Sequence, residues 1–291
     1  MKIIVTHRSP DLDAIASVWL IQKFLPQWRD AKVEFVSAGD RLHDGSSKTE
    51  VIENMDGNEI IHVDTGLGVL DHHQLETDEE SAASLTWEFI QGKLDSLKEI
   101  RKEAVSRLIS VVVQTDHFKE VFWENPTADY CDFSVSGVLE GLKLTKPNDD
   151  RFYIEFISQC LDTVLVEFET KIGAEKDIKE KGIEFKTRFG KGIGIESGND
   201  AVIKLSQKMG YAIAVRKDPE GYIRIKATPS KDGNDGVDLT PIYKEIKKRE
   251  PETFWFLHIN KKMLLNGSSK TNRMKPTKLS LDDIIKMLEK I

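Results

Sequence analysis

The feature that most constrains this chain is an apolar strand handed over to a helix through a loop crowded with metal-capable side chains. Ile3-Ile4-Val5 is a short, continuous apolar run, the pattern of a strand covered on both faces of a sheet. Pro10 breaks it. From Asp11 to Ser17 the chain enters an apolar-periodic stretch, Ala14, Ile15, Val18, Trp19 and Ile21, which predicts a helix. His7, Asp11 and Asp13 thus fall where a strand gives way to a helix, and in open α/β sheets that crevice binds ligands. Three potential ligands within seven residues suggest a cation site. The plainer reading, that Asp11 and Asp13 cap the helix, stands beside it.

Two later stretches answer this one. Ile60-Ile61-His62-Val63 is a second apolar strand closed by Asp64 and, after Thr65, Gly66. Asp71-His72-His73-Gln74 follows shortly, and Asp116 comes after Val111-Val112-Val113. An acid ending an apolar strand sits poorly in a core unless something cationic meets it, which makes Asp64 the most telling of the set. His62 shares its strand parity but reads better as a satisfied core histidine. Taken in order, the H-x-x-x-D-x-D opening, the strand-end Asp64, the Asp71-His72-His73 triplet and Asp116 resemble the motifs of the DHH phosphoesterase superfamily. That group includes RecJ-type exonucleases, nanoRNases and manganese-dependent pyrophosphatases. The resemblance covers roughly the first half of the chain.

The resemblance implies a pair of Mn²⁺ ions, with Mg²⁺ or Co²⁺ as substitutes. On it, His7 and Asp11 would hold one ion, Asp13 the other, Asp64 would bridge, and His72 and Asp116 would complete the second position. His73 would face the phosphoryl group as hydrogen-bond donor or acid, and Asp71 would orient a neighbouring imidazole from behind. Two cations about 3.5–4 Å apart lower the pKa of a shared water and clamp a transferring phosphoryl group, and a mixed carboxylate and imidazole set suits Mn²⁺.

The expected fold class is α/β: a mainly parallel-sheet, DHH-like domain over 1–150, a helical connector over 151–185, and a smaller α+β substrate domain over 186–291, with a cleft between the two domains. Helices are expected over 79–93 and 96–113, with one or two long helices over 152–184 interrupted near Gly173. Pro126, Pro147 and the run Asn148-Asp149-Asp150 mark loops. Ser280 is expected to cap a last helix over 281–288.

Substrate choice is expected in the second half. The glycine-rich G-G-G-H stretch of RecJ-like and nanoRNase enzymes is missing there. The block from Phe256-Leu257-His258 through Ser269, with the extended Asp71-His72-His73-Gln74, is instead similar to the melanocyte-proliferating-gene family of metal-dependent RNA exonucleases, whereas the opening motif is of the RecJ kind. Arg41, His258, Asn266, Gly267, Ser268, Ser269 and Lys270 are the candidate substrate contacts, with a solvated turn or a polar hairpin tip as the bland alternatives. His117, beside Asp116, is a further candidate site residue, and Trp19, Trp28, Trp87 and Trp123 read as packing.

A net charge of −7 lacks the basic footprint of a protein that grips long duplex DNA. No apolar run approaches the ~20 residues of a membrane span. Cys131 and Cys160 make no disulfide framework, and the first residues lack a secretory layout, so a cytoplasmic location is expected. The expected activity is metal-dependent hydrolysis of a phosphorylated small molecule, nucleotide or short oligonucleotide. The alternatives are a pyrophosphatase or exopolyphosphatase and an inactive nucleotide-binding module; a homodimer is left open.

Overall fold

The structure is a computed structural model that describes residues 1–43, 47–94, 96–230, 236–267 and 274–291. Ser268, Ser269 and Lys270 lie outside the described residues. The chain is mixed α/β and divides into two compact units, Met1–Glu169 and Thr170–Ile291.

In the first unit the order is β1 (Lys2–His7), α1 (Leu12–Phe24), β2 (Lys32–Val36), β3 (Glu53–Met55), β4 (Asn58–His62), α2 (Ala82–Gln91), α3 (Glu99–Asp116), α4 (Asp129–Asp132), α5 (Val135–Thr145) and most of α6 (Asp150–Lys181). The sheet runs β2-β1-β4-β3, with β1 parallel to both β2 and β4 and the short β3 antiparallel to β4. Asp56 and Gly57, at φ 50° and 75°, make the β3–β4 turn, a turn that needs positive φ at both central positions. The chain leaves β1 through α1 to its neighbour on one side, while β4 pairs on the other. The C-terminal ends of β1 and β4 therefore flank a topological switch point.

α1 is buried almost all round, from Leu12 through Ile21, because the sheet, α2 and α3 all pack on it. Trp19, Trp28 and Trp87 are buried in this unit, as packing residues should be. Each such side chain contributes about 1.5–3 kcal/mol of apolar burial.

In the second unit β5 (Ile183–Thr187), β6 (Gly190–Glu196), α7 (Ala201–Lys208), β7 (Ile213–Lys217), β8 (Ile223–Ala227), α8 (Thr240–Arg249), β9 (Phe256–Leu257), β10 (Met263–Leu265) and α9 (Leu281–Leu288) build a mixed sheet of order β5-β6-β7-β8-β10-β9. Alternation along β7 divides the core: Ile213 and Val215 face α8 and α9, whereas Ala214 faces Ile178 of α6 and Val202 of α7. Ser280 caps α9 as expected, in a reciprocal box with Asp283.

Two local expectations are corrected. α6 runs without interruption through Gly173, whose cost of about 1 kcal/mol relative to alanine is carried by good helix formers on either side. β5 follows α6 at once, where the sequence reading continued the helix. Pro126 and Pro147 lie in turns as expected, and α4 and α5 form between them. Among the described residues, no helix is long and apolar enough to cross a membrane.

Candidate metal centre

The switch point is where the candidate ligands meet. His7 is the last residue of β1 and Asp11 caps α1, its carboxylate accepting from the Ala14 N–H at 3.0 Å. Asp64 follows β4 in the left-handed region at φ 53°, tied by its own N–H to the Leu70 carbonyl. A buried non-glycine residue in that conformation is typical of a place where position outranks backbone comfort. Asp116 ends α3 and His72 sits on the loop after β4.

Asp64 stands at the middle. Its Oδ2 accepts from His7 Nε2 at 3.2 Å, and Asp11 Oδ2 lies 3.8 Å from the same nitrogen. Its Oδ1 lies 3.5 Å from His72 Nε2, which is also 3.4 Å from Asp116 Oδ2 and 3.9 Å from Asp13 Oδ2. Asp64 Oδ1, His72 Nε2 and Asp116 Oδ2 are buried with no hydrogen-bond partner among the described residues. Buried orphans of this kind need an explanation, and a cation held between them is one. Ligand atoms about 2.1 Å from a shared cation lie roughly 3–3.4 Å from one another, close to these separations. The residues present fit a divalent metal pair, with His7, Asp11 and Asp64 on one side and Asp64, His72, Asp116 and Asp13 on the other.

The electrostatics agree. Burial opposes charge on His7, but the Asp64 hydrogen bond, the Arg8 carbonyl and the Asp11 charge outweigh it and lift the imidazole to about 9. The Asp64 carboxylate beside His72 overcomes burial and lifts it to about 9 as well. Burial pushes Asp64 up, yet His7 and His72 bring it down to about 2. Burial, then the Asp64 charge, raises Asp11, and the same two causes raise Asp13 further. Asp116 is raised mainly by burial, against the pull of His72. Protons on the two imidazoles thus balance charge that cations would balance more fully.

The supporting residues are ordered. His7 Nδ1 donates to the Arg8 carbonyl at 2.9 Å, which leaves Nε2 facing Asp64, where it could ligate a cation. Asp71 is buried: its Oδ2 accepts from the Leu67 N–H at 2.7 Å, and its Oδ1 accepts from His73 Nδ1 at 2.7 Å. The imidazole it orients is therefore His73, whose ring is otherwise more than half exposed. His117 Nε2 donates to the Glu80 carbonyl at 2.7 Å and stands 3.8 Å from Asp116 Oδ2, at the edge of the cluster.

Asp13 does more than the sequence suggested. Its Oδ1 accepts from Ser81 Oγ at 2.6 Å and the Ala83 N–H at 2.9 Å, and its Oδ2 accepts from the Ala82 N–H at 2.7 Å. It holds the start of α2 and keeps one Oδ2 lone pair toward His72. Ser81 was missed, although its spacing to Ser84 is a capping signature.

Other candidates take different places. Arg41 is engaged beside the sheet: it pairs with buried Glu53 and donates to the Gly66 carbonyl at 3.0 Å and the Ser47 carbonyl at 2.8 Å. It braces the Asp64–Gly68 loop instead of presenting its guanidinium as a substrate contact. His62 is the satisfied core histidine expected, donating from Nδ1 to Glu53 at 2.9 Å and accepting the Leu42 N–H on Nε2 at 3.1 Å. Burial and the nearby Arg41 charge lower its pKa, in keeping with a neutral ring.

In the second unit Asn266 is wholly buried, donating to the Phe254 carbonyl and accepting the Thr277 N–H. Its amide is spent on the fold, which corrects its assignment as a substrate contact. Gly267 has φ 108°, and a Cβ there would come within 2.8 Å of Met274 Sδ, so backbone conformation and close packing account for the glycine. His258 accepts the Asn260 N–H at 3.2 Å at the tip of the β9–β10 hairpin, the bland alternative for that residue.

No protein-family model and no curated protein matches the chain. Among solved structures, a chain described as an uncharacterized protein from Helicobacter pylori G27 is similar at 13% identity, covering 100% of this chain and 99% of that one, with a TM-score of 0.25. A likeness at that level carries no argument about function, which rests on the geometry above.

Proposed function

We propose that the first unit is a divalent-metal-dependent phosphoesterase of the DHH type, acting on nucleotide phosphodiesters or short oligonucleotides, with Mn²⁺ as the preferred ion. The observation that carries this reading is Asp64, a buried carboxylate with one oxygen toward His7 and Asp11 and the other toward His72 and Asp116. Bound in such a site, divalent cations supply an acidified water and relieve charge on the phosphoryl oxygens. The chain's own residues do the rest. His7 is fixed by the Arg8 carbonyl, so its Nε2 keeps one direction. Asp71 holds His73 by Nδ1, leaving Nε2 at an exposed rim where it can donate to a phosphoryl oxygen or protonate a departing one. Asp13 makes the site rigid by tying it to α2.

The test is a panel of phosphate esters with added Mn²⁺, run on the parent chain and on Asp64→Asn. Mn²⁺-dependent turnover that Asp64→Asn removes, with the fold retained, is expected. Turnover that survives the substitution would contradict the reading.

A further inference from the structure

A cavity of about 470 Å³ adjoins Asp11, Asp13 and Asp116 within the first unit, a size usual for small-molecule sites. Its other walls come from the chain between Phe118 and Glu140. Phe118 and Trp123 offer ring surface, Leu139 forms a buried floor, and Glu120, Asp132 and Glu140 supply carboxylates. Glu140 is paired with Lys143 at 3.4 Å. Glu120 Oε2, by contrast, is buried with no hydrogen-bond partner among the described residues. Trp123 is held in place, its Nε1 donating to Gln114 Oε1 at 3.0 Å. No lysine or arginine lines the cavity among the described residues.

These walls discriminate. A second phosphoryl group, as in pyrophosphate or polyphosphate, would carry negative charge in among Glu120, Asp132 and Glu140, beside a lysine, Lys143, already paired with Glu140. A planar ring bearing N–H donors would stack on Trp123 and place a donor against the Glu120 carboxylate in the wall. Cytosine and adenine present an amino group at the edge where uracil, like thymine, presents a carbonyl acceptor, which a carboxylate repels.

We infer that this cavity receives the uncharged part of the phosphate ester, an amino-bearing nucleobase, while the phosphate lies at the carboxylate and imidazole cluster. The position of the phosphate rests on the proposed function; the base preference rests on the cavity walls alone.

The experiment is isothermal titration of the full chain with cytidine 5′-monophosphate, uridine 5′-monophosphate and inorganic phosphate, once with Mn²⁺ and once with EDTA. The cytidine nucleotide should bind about tenfold more tightly than the uridine nucleotide, and inorganic phosphate most weakly, with the base preference kept in EDTA. Trp123→Ala should weaken both nucleotides by about tenfold, and Glu120→Gln should remove the preference for cytidine, with Mn²⁺ stoichiometry unchanged in each. Equal affinity for the three ligands, or a preference untouched by Glu120→Gln in a natively melting protein, would overturn the inference. Base preference without Mn²⁺-dependent turnover would count against the proposed function alone, and turnover without base preference against the cavity assignment alone.

Discussion

Ser81 Oγ donates to Asp13 Oδ1 at 2.6 Å, joining the first turns of α1 and α2 across 68 residues of chain. The same carboxylate takes the Ala82 and Ala83 N–H groups, so one acid serves as the anchor of a helix and as a wall of the candidate metal centre. Site and fold are coupled at this residue.

Asp13→Ala should therefore unfold more easily even without metal. It strands a buried hydroxyl and two N–H groups, and the loss should be about 3 kcal/mol in urea denaturation with EDTA present. A loss below about 1 kcal/mol would show that water replaces the carboxylate readily.

Asp116 should behave in the opposite way. Its Oδ2 is buried without a partner, and burial already raises its pKa. Asp116→Asn should leave metal-free stability within about 1 kcal/mol of the parent, or above it, because the substitution removes charge from a crowded acidic site. The same variant should lose most of the rise in melting temperature that Mn²⁺ gives the parent. A variant that is both unstable without metal and fully stabilised by it would refute this assignment.

The pH dependence has a defined sign. His7 and His72 stand at about 9 in the folded, metal-free chain against the ordinary histidine value of 6.5. Their contribution to stability is fully present below pH 6.5 and is lost as pH rises through 9. Denaturant midpoints in EDTA should fall between those limits. Mn²⁺ affinity should rise over the same range, because cation binding displaces the two protons. Titration at pH 7.5 in buffers of different ionisation enthalpy should show proton release, and its absence would mean the imidazoles do not take the metal.

Arg41 makes a separate prediction. Removing it leaves Glu53 as an uncompensated buried charge and frees the Gly66 carbonyl, so Arg41→Ala should cost about 3–5 kcal/mol. Mn²⁺ affinity should fall by about tenfold as the Asp64–Gly68 loop loosens, and Arg41→Lys should restore part of it. Unchanged affinity in a destabilised variant would limit Arg41 to a role in folding.

Much of the site was legible because its ligands lie at the ends of short apolar runs. Ile3-Ile4-Val5 and Ile60-Ile61 announce buried strands, and an acid or imidazole just beyond each has few other reasons to be there. What escaped depends on tertiary geometry. Asp13's grip on Ser81, and Arg41's on Glu53 and Gly66, join residues whose separation in sequence says nothing of their contact. α5 was hidden because Val135, Val138, Leu142 and Leu144 are not fully buried and only Leu139 is, so its pattern is not that of a core helix. Asn266 misled for the reverse reason: a polar residue beside a glycine looks like a loop tip, yet its amide satisfies buried backbone.

The central claim is that Asp64 lies between two cations. Anomalous scattering at the manganese edge from crystals soaked in Mn²⁺ tests it most directly. Two peaks about 3.5–4 Å apart are expected, one against His7 and Asp11 and the other against His72 and Asp116, with a different oxygen of Asp64 on each. Density showing no ion at Asp64 under saturating Mn²⁺, with the carboxylate and both imidazoles unmoved, would contradict the account.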